Sequence, residues 1–245
     1  QAAQAAQAVQ ADPAGQAAKD AEAAQGARPP APRIALIHAL AHSMAPINAE
    51  FERSWPQCEC MNLLDDSLSR DLARSPGGLD AHMTARFVAL AAYAIETGAQ
   101  AILYTCSAFG PCIDEVVRHW PALPVLKPNE AMIAEAVARG RRIGLVASFA
   151  PTLATMPAEF AAGVEVLPLL ADGALDALDR GELARHDRLI AQAAERAAAL
   201  GCDVVALAQF SAARAAPRVE QVVRVPVLTT VASAVRALRG RLQPP

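Results

Sequence analysis

From Arg33 onward, short runs of aliphatic and β-branched residues alternate with longer Ala- and Leu-rich stretches whose polar positions recur at helical spacing. Strands are expected at 33–38, 58–64, 101–105 and 124–126, then at 142–147, 164–169, 204–208 and 226–228, with helices filling the intervals. The runs Ala101–Tyr104 and Val204–Leu207 are apolar at every position, not at alternate ones, which is the mark of a strand buried on both faces. The expectation is a parallel sheet covered by helices, and such sheets bind ligands beyond the carboxyl ends of their strands. His38 to Ser43, Asp65 to Ser67, Thr105 to Phe109, Lys127 to Asn129, Ser148 to Thr152, Gln209 to Ser211 and Thr229 to Thr230 would then surround one cleft.

The pattern occurs twice. Arg33-Ile34-Ala35-Leu36-Ile37 recurs as Arg142-Ile143-Gly144-Leu145-Val146, and Pro124-Val125-Leu126 recurs as Pro226-Val227-Leu228. Between them, Ala101-Ile102-Leu103-Tyr104-Thr105-Cys106-Ser107-Ala108 aligns with Val204-Val205-Ala206-Leu207-Ala208-Gln209-Phe210-Ser211. An offset of roughly a hundred residues holds throughout, so a duplicated α/β unit is the simplest reading. Cys106 and Gln209 fall at equivalent strand ends.

Composition narrows the class. The 245 residues are 53% hydrophobic, 19% charged and 4% aromatic, enough for one or two domains with a sizeable core. A formal charge of −3 with scattered Lys and Arg offers no basic stripe, so no nucleic-acid partner is expected. No apolar run reaches the roughly 18 residues of a membrane span. Five irregularly spaced cysteines suggest free thiols in a reducing, cytoplasmic setting. Residues 1–32, Ala/Gln repeats closed by Arg28-Pro29-Pro30-Ala31-Pro32, read as a low-complexity tail without the apolar core of a signal peptide.

A thiol at a strand's carboxyl end, directly before a helix, feels the positive field of the helix N-terminus, which favours the thiolate. Cys106 has that position, with Ser107 and Ala108 beside it to offer a hydroxyl and backbone N–H groups to a carboxylate or developing enolate. Carried by Ala101 to Ala108, the duplicated layout and the paired Pro-Val-Leu strands, residues 33–240 resemble the aspartate/glutamate racemase superfamily. Hydantoin racemases, maleate isomerases and arylmalonate decarboxylases are its relatives. The resemblance implies an α/β fold of two pseudo-symmetric three-layer domains with mainly parallel sheets and a cleft between them. It also implies amino acid metabolism without metal or other cofactor, a cysteine from each domain facing the substrate's α-carbon. Domains are expected at 33–139 and 140–225, with strand and helix 226–245 returning to the first.

The second cysteine of that pattern falls on Gln209, which hydrogen-bonds but does not titrate near neutrality. Cys106 and Gln209 are the expected catalytic pair. His42, Ser43, Ser107, Ala108, Asn129, Ser148, Thr152, Phe210 and Ser211 are the expected substrate contacts; Ser43 could also cap the next helix, and capping is as good a role for Ser148 and Thr152 as substrate contact. The function expected is a racemase or isomerase acting beside a carboxylate or carboxamide of a small molecule, with a homo-oligomer possible. A lyase that protonates from one side, or a binding protein that kept only the cleft, are the alternatives. Cys58-Glu59-Cys60 lacks a second ligand pair for zinc, His186-Asp187 reads as helix surface, and no glycine fingerprint for a nucleotide is present.

Overall fold

The computed structural model describes residues 31–243, so the expected tail at 1–32 lies outside the described residues except for its last two positions. Among the described residues, eight strands form two four-stranded sheets. In the first, β1 (Arg33–His38), β2 (Glu59–Leu64), β3 (Ala101–Tyr104) and β4 (Val125–Leu126) take the order β2-β1-β3-β4. In the second, β5 (Arg142–Ala147), β6 (Glu165–Leu170), β7 (Val204–Leu207) and β8 (Val227–Thr229) take the order β6-β5-β7-β8. Every pairing is parallel.

The duplication is visible bond by bond. The amide of Ile102 donates to Pro124 O at 2.9 Å, and that of Val205 donates to Pro226 O at 2.9 Å. Both prolines stand just before their strands because proline supplies no ladder donor, which is why the observed strands begin at Val125 and Val227. The expected return of segment 226–245 to the first half is corrected here in part. Its strand stays in the second sheet, with Val205 opposite Val227 and Leu207 opposite Thr229.

The helices are α1 (Met44–Ser54), α2 (Ser67–Arg74), α3 (Ala81–Glu96), α4 (Gly110–His119), α5 (Glu130–Arg139), α6 (Ala150–Thr155), α7 (Ala174–Asp179), α8 (Leu183–Ala199), α9 (Ala216–Val222) and α10 (Thr230–Leu242). Alanine does most of the covering on α8, where Ala193, Ala194 and Ala197 are fully buried against the second sheet. The approach is so close that a Cβ on Gly144 of β5 would lie 2.7 Å from Ala197 Cβ. His186, expected on a helix surface, is instead fully buried on α8, its Nδ1 2.8 Å from Asp187 Oδ1. It lies on the same helical face as the buried Ile190, Ala193 and Ala197.

Two helices cross between the halves. α10 follows β8 of the second sheet, yet Val231, Ala234, Val235 and Leu238 pack with Ile34, Leu36, Ala101, Leu103 and Leu126 of the first. Conversely, α5 follows β4 of the first sheet, yet Met132 and Ala136 pack with Ile143, Leu145, Val204 and Leu228 of the second. Each sheet is thus capped by the helix that the other sheet's last strand leads into.

This exchange predicts that the halves unfold together. Leu238→Ala removes a fully buried side chain from α10 and should cost about 2–4 kcal/mol. Urea denaturation followed by circular dichroism should show one shifted transition. Two separated transitions would mean that the halves are independent.

Candidate active site

The carboxyl ends of the two central strand pairs set the site. Thr105 N–H donates to Ile37 O (3.1 Å) and Ala208 N–H donates to Val146 O (2.9 Å), the last ladder bonds of β3 and β7. One residue later the chain leaves each sheet. Cys106 (φ −125°, ψ 120°) and Gln209 (φ −137°, ψ 146°) both hold extended backbone immediately before a 3-10 turn, at 107–109 and 210–215 respectively. Proline at the start of α4 and of α9 then opens a helix in each half.

Cys106 and Gln209 line the same cleft, a cavity of about 480 Å³. His42, Ser43, Ser107, Ala108, Asn129, Thr152, Phe210 and Ser211 line it as well. Ser148 does not. Its backbone N–H donates to Gln209 Oε1 at 2.6 Å and its Oγ donates to the same oxygen at 3.0 Å. The expected contact at Ser148 is therefore corrected to a support: the loop after β5 holds the Gln209 carbonyl, which leaves the amide NH₂ as the end available to the cleft. Ser43 is likewise no side-chain cap for α1.

The thiol environment also differs from the expectation. Burial pushes the Cys106 pKa above its ordinary value, and the Ala108 backbone N–H only partly offsets this. The helix opens at Gly110, four residues past the thiol and beyond a 3-10 turn, so its field acts on Cys106 only at a distance. Burial thus favours the thiol over the thiolate.

Beneath Cys106 lies a buried polar cluster that the sequence reading did not assemble. His38, fully buried at the end of β1, has Nε2 2.9 Å from Asn62 Oδ1 and Nδ1 2.9 Å from Thr105 Oγ1. Ser43 Oγ is 3.0 Å from Thr105 Oγ1 and donates to Leu40 O at 2.7 Å. Asn48 and Asn62 complete it through a reciprocal amide pair at 3.1 and 3.3 Å. Burial lowers the His38 pKa, against a smaller opposing effect of the Asn62 bond. The signal that could have found it was a histidine, a serine and a threonine all placed at strand ends.

Other polar residues near the strand ends are occupied. Asp65 accepts from Ser67 and from Arg86, which also binds Asp71, and Lys127 pairs with Asp114 at 2.5 Å. Cys58 and Cys60 pack against the α10 side of the first sheet, away from the cleft. A larger cavity of about 720 Å³ adjoins the cleft and shares His42 and Ser211 with it. Its Arg53, Arg214 and Arg236 are already paired with Glu50, Asp187 and Glu135, and no thiol lines it. Of the two, only the smaller cleft is lined by Cys106. Among the described residues no group of His, Cys, Asp and Glu could hold a metal ion, and no helix is long and apolar enough to cross a membrane.

Residues 17–238 match the Asp/Glu/Hydantoin racemase family model, and the chain belongs to that family. Membership supports a racemase- or isomerase-type function. An aspartate racemase homologue from Pyrococcus horikoshii OT3 superposes with a TM-score of 0.66 at 17% identity, over 84% of this chain and 96% of that one. Allantoin racemase from Klebsiella pneumoniae gives 0.66 at 20% identity, over 86% and 88%. Unliganded arylmalonate decarboxylase gives 0.57 at 20% identity, over 85% and 92%. At these identities the likeness is one of fold. No curated protein sequence matches the chain.

The Cys106 environment predicts its reactivity. Iodoacetamide labelling of Cys106, followed by peptide mass spectrometry, should rise with pH through an inflection above the ordinary thiol value of about 8.5. An inflection below that value would mean that backbone N–H groups outweigh burial.

Proposed function

We propose that the protein is a cofactor-independent isomerase acting at a carbon adjacent to a carboxylate or carboxamide of a small molecule, with Cys106 as the proton-transferring group. The observation that carries this reading is the pairing of Cys106 and Gln209 at matching strand ends of one cleft. Gln209 stands where the family pattern calls for a second thiol. A fixed amide donor there can bind a carboxylate or the oxygen of an enediolate, but it cannot take up a proton.

The steps follow from the side chains. Backbone N–H groups and the hydroxyl at Ser107 and Ala108, with the Gln209 amide opposite, bind the carboxylate and stabilise the charge that grows on it. Cys106 as thiolate removes the α-proton and, as thiol, returns one. With a single titratable group, proton removal and return occur on the same face unless a second donor acts from the other side. Ser211 and His42, both at the cleft wall, are the side chains placed to do so.

A lyase reading is favoured by one observation, the burial of Cys106, which raises its pKa and so favours the thiol form. A thiol is the form that quenches an enediolate left by loss of carbon dioxide. The pH profile separates the two readings. If Cys106 acts first as base, kcat/KM rises as pH passes upward through its raised pKa. If it acts first as acid, kcat/KM falls over the same interval.

Substrate identity is tested by incubation in heavy water with amino acids, hydantoins, malonates and maleate, reading α-carbon deuterium by mass spectrometry. Cys106→Ser should abolish nearly all turnover, by at least about a hundredfold, with folding intact. Parental activity in that variant would remove Cys106 from the mechanism. Gln209→Cys should add a proton path from the opposite face, seen by chiral chromatography as racemisation of a substrate that the parent labels on one face.

A further inference from the structure

The cleft at Cys106 does not end at its far wall. His42 and Ser211 line it and also line the cavity of about 720 Å³ beside it, so the two spaces meet. Both halves of the molecule build the larger space: Pro46 and Ala49 come from α1, Leu178 and Pro217 from α7 and α9, and Val227 and Val231 from β8 and α10. These walls are apolar and gain by covering a hydrocarbon chain.

Charge enters that cavity on arginines whose ion pairs leave donors unspent. Arg214 gives Nε and Nη2 to Asp187 at 2.9 and 3.2 Å, and Arg236 gives the same two nitrogens to Glu135 at 2.9 and 2.7 Å. Each pair is side-on, so the Nη1 hydrogens of both guanidinium groups have no acceptor among the described residues. Asp187 and Glu135 are not part of the cavity lining, so they hold the two arginines from outside it. Asp187 is itself fixed by the fully buried His186, whose Nδ1 lies 2.8 Å from Oδ1. Ser211 and Arg214 both belong to the 3-10 turn Phe210–Ala215. Three residues apart, they eclipse one another with a rise of roughly 6 Å between them. One face of the turn therefore carries a cleft residue at one end and a guanidinium at the other. Of the two lining carboxylates, Glu50 is committed to Arg53 Nη2 at 2.7 and 2.8 Å. Glu220 has no ion pair among the described residues.

We propose that the larger cavity is a tail subsite of the cleft, and that the substrate is an acid or amide whose reacting carbon carries an apolar chain of several methylenes ending in a second anionic group, a carboxylate or phosphate, bound by Arg214 and Arg236. The inference rests on the cleft being the substrate site. Aspartate and glutamate hold their second carboxylate one or two methylenes from the reacting carbon, too close to reach a cavity that begins beyond Ser211. A longer chain passes His42 and Ser211, covers the apolar walls and brings its charge to the free edge of Arg214. Glu220 opposes that charge, which gives the site a control of opposite sign.

The test is calorimetric binding to the full chain of straight-chain dicarboxylates, from succinate through adipate to suberate, with octanoate as the counterpart of suberate that lacks one charge. Affinity should rise along the series by about fourfold for each methylene that enters the cavity. Suberate should bind at least about tenfold more tightly than octanoate, the worth of one charge-assisted hydrogen bond. Arg214→Gln should remove that advantage, and Glu220→Gln should enlarge it. Ala49→Phe fills the apolar wall without removing a charge. It should weaken suberate at least about tenfold more than succinate, and it keeps the test decisive if Arg214→Gln does not fold.

Bound suberate should also slow iodoacetamide labelling of Cys106, because its other carboxylate occupies the cleft. Flat affinity along the series, absence of binding, or equal affinity for suberate and octanoate overturns the proposal. So does suberate binding that leaves Cys106 labelling unchanged, which would make the cavity a separate effector site. A failed exchange screen or an active Cys106→Ser would instead count against the proposed function and leave the suberate result standing.

Discussion

The structure depends on a reciprocal exchange of helices. A parallel sheet with strands apolar on both faces must be covered on both sides, because exposed β1, β3, β5 and β7 would leave fully buried positions such as Leu36, Leu103, Leu145 and Ala206 in water. In a simple duplication each unit would cover itself. Here α5 leaves the first sheet to cover the second, and α10 leaves the second to cover the first. Phe210, just past the β7 strand end, also packs into the cluster that α10 forms with the first sheet. Neither half can complete its core alone. Residues from Pro32 onward accordingly form one compact unit, although the sheet order is that of two repeats.

That mutual covering fixes the cleft. If the halves were joined by a linker, the strand ends carrying Cys106 and Gln209 would move with every change in interdomain angle. The shared α5, α10 and Phe210 contacts oppose such motion with buried apolar area. Catalysis by proton transfer is sensitive to displacements of about an ångström, so under the proposed function a rigid relation between β3 and β7 would serve activity as well as stability. The cost is a half-buried thiol. Burial raises the Cys106 pKa and so opposes the ionised state that proton abstraction needs.

The sequence showed the fold well and the site unevenly. All eight strands were legible because the buried central runs lack alternation and because Pro124 and Pro226 mark the last strand of each sheet. Cys106 and Gln209 were legible because the repeat aligns them. The exchange of α5 was not, since an alanine-rich helix carries no mark of which sheet it will cover. His186 was misread because its acidic neighbour Asp187 suggested a polar surface, although Ile190, Ala193 and Ala197 follow it at helical spacing on the buried face. Ser148 was placed in the right loop with the wrong role, because a serine after a strand can reach substrate or a neighbouring loop, and only the tertiary position of Gln209 decides between them. The His38 cluster spans residues 38 to 105; the strand-end pattern placed its members around one cleft but did not show the bonds among them.

The two loops that follow the equivalent strands β1 and β5 show how far the halves have diverged. In the first half that loop supplies Ser43, whose hydroxyl joins Thr105 and His38 beneath the thiol. In the second half it supplies Ser148, whose two donors hold the amide of Gln209. Both loops thus tie down a polar group at the end of the adjacent strand: the Thr105 hydroxyl in the first half and the Gln209 amide in the second. A glutamine at the second strand end without Ser148 would be free to rotate and to offer either face. With Ser148 it is a directed dipole. The two halves thus meet at one cleft with a thiol at one strand end and a held amide at the other, and in the proposed mechanism that amide orders a substrate's polar group while Cys106 carries the proton.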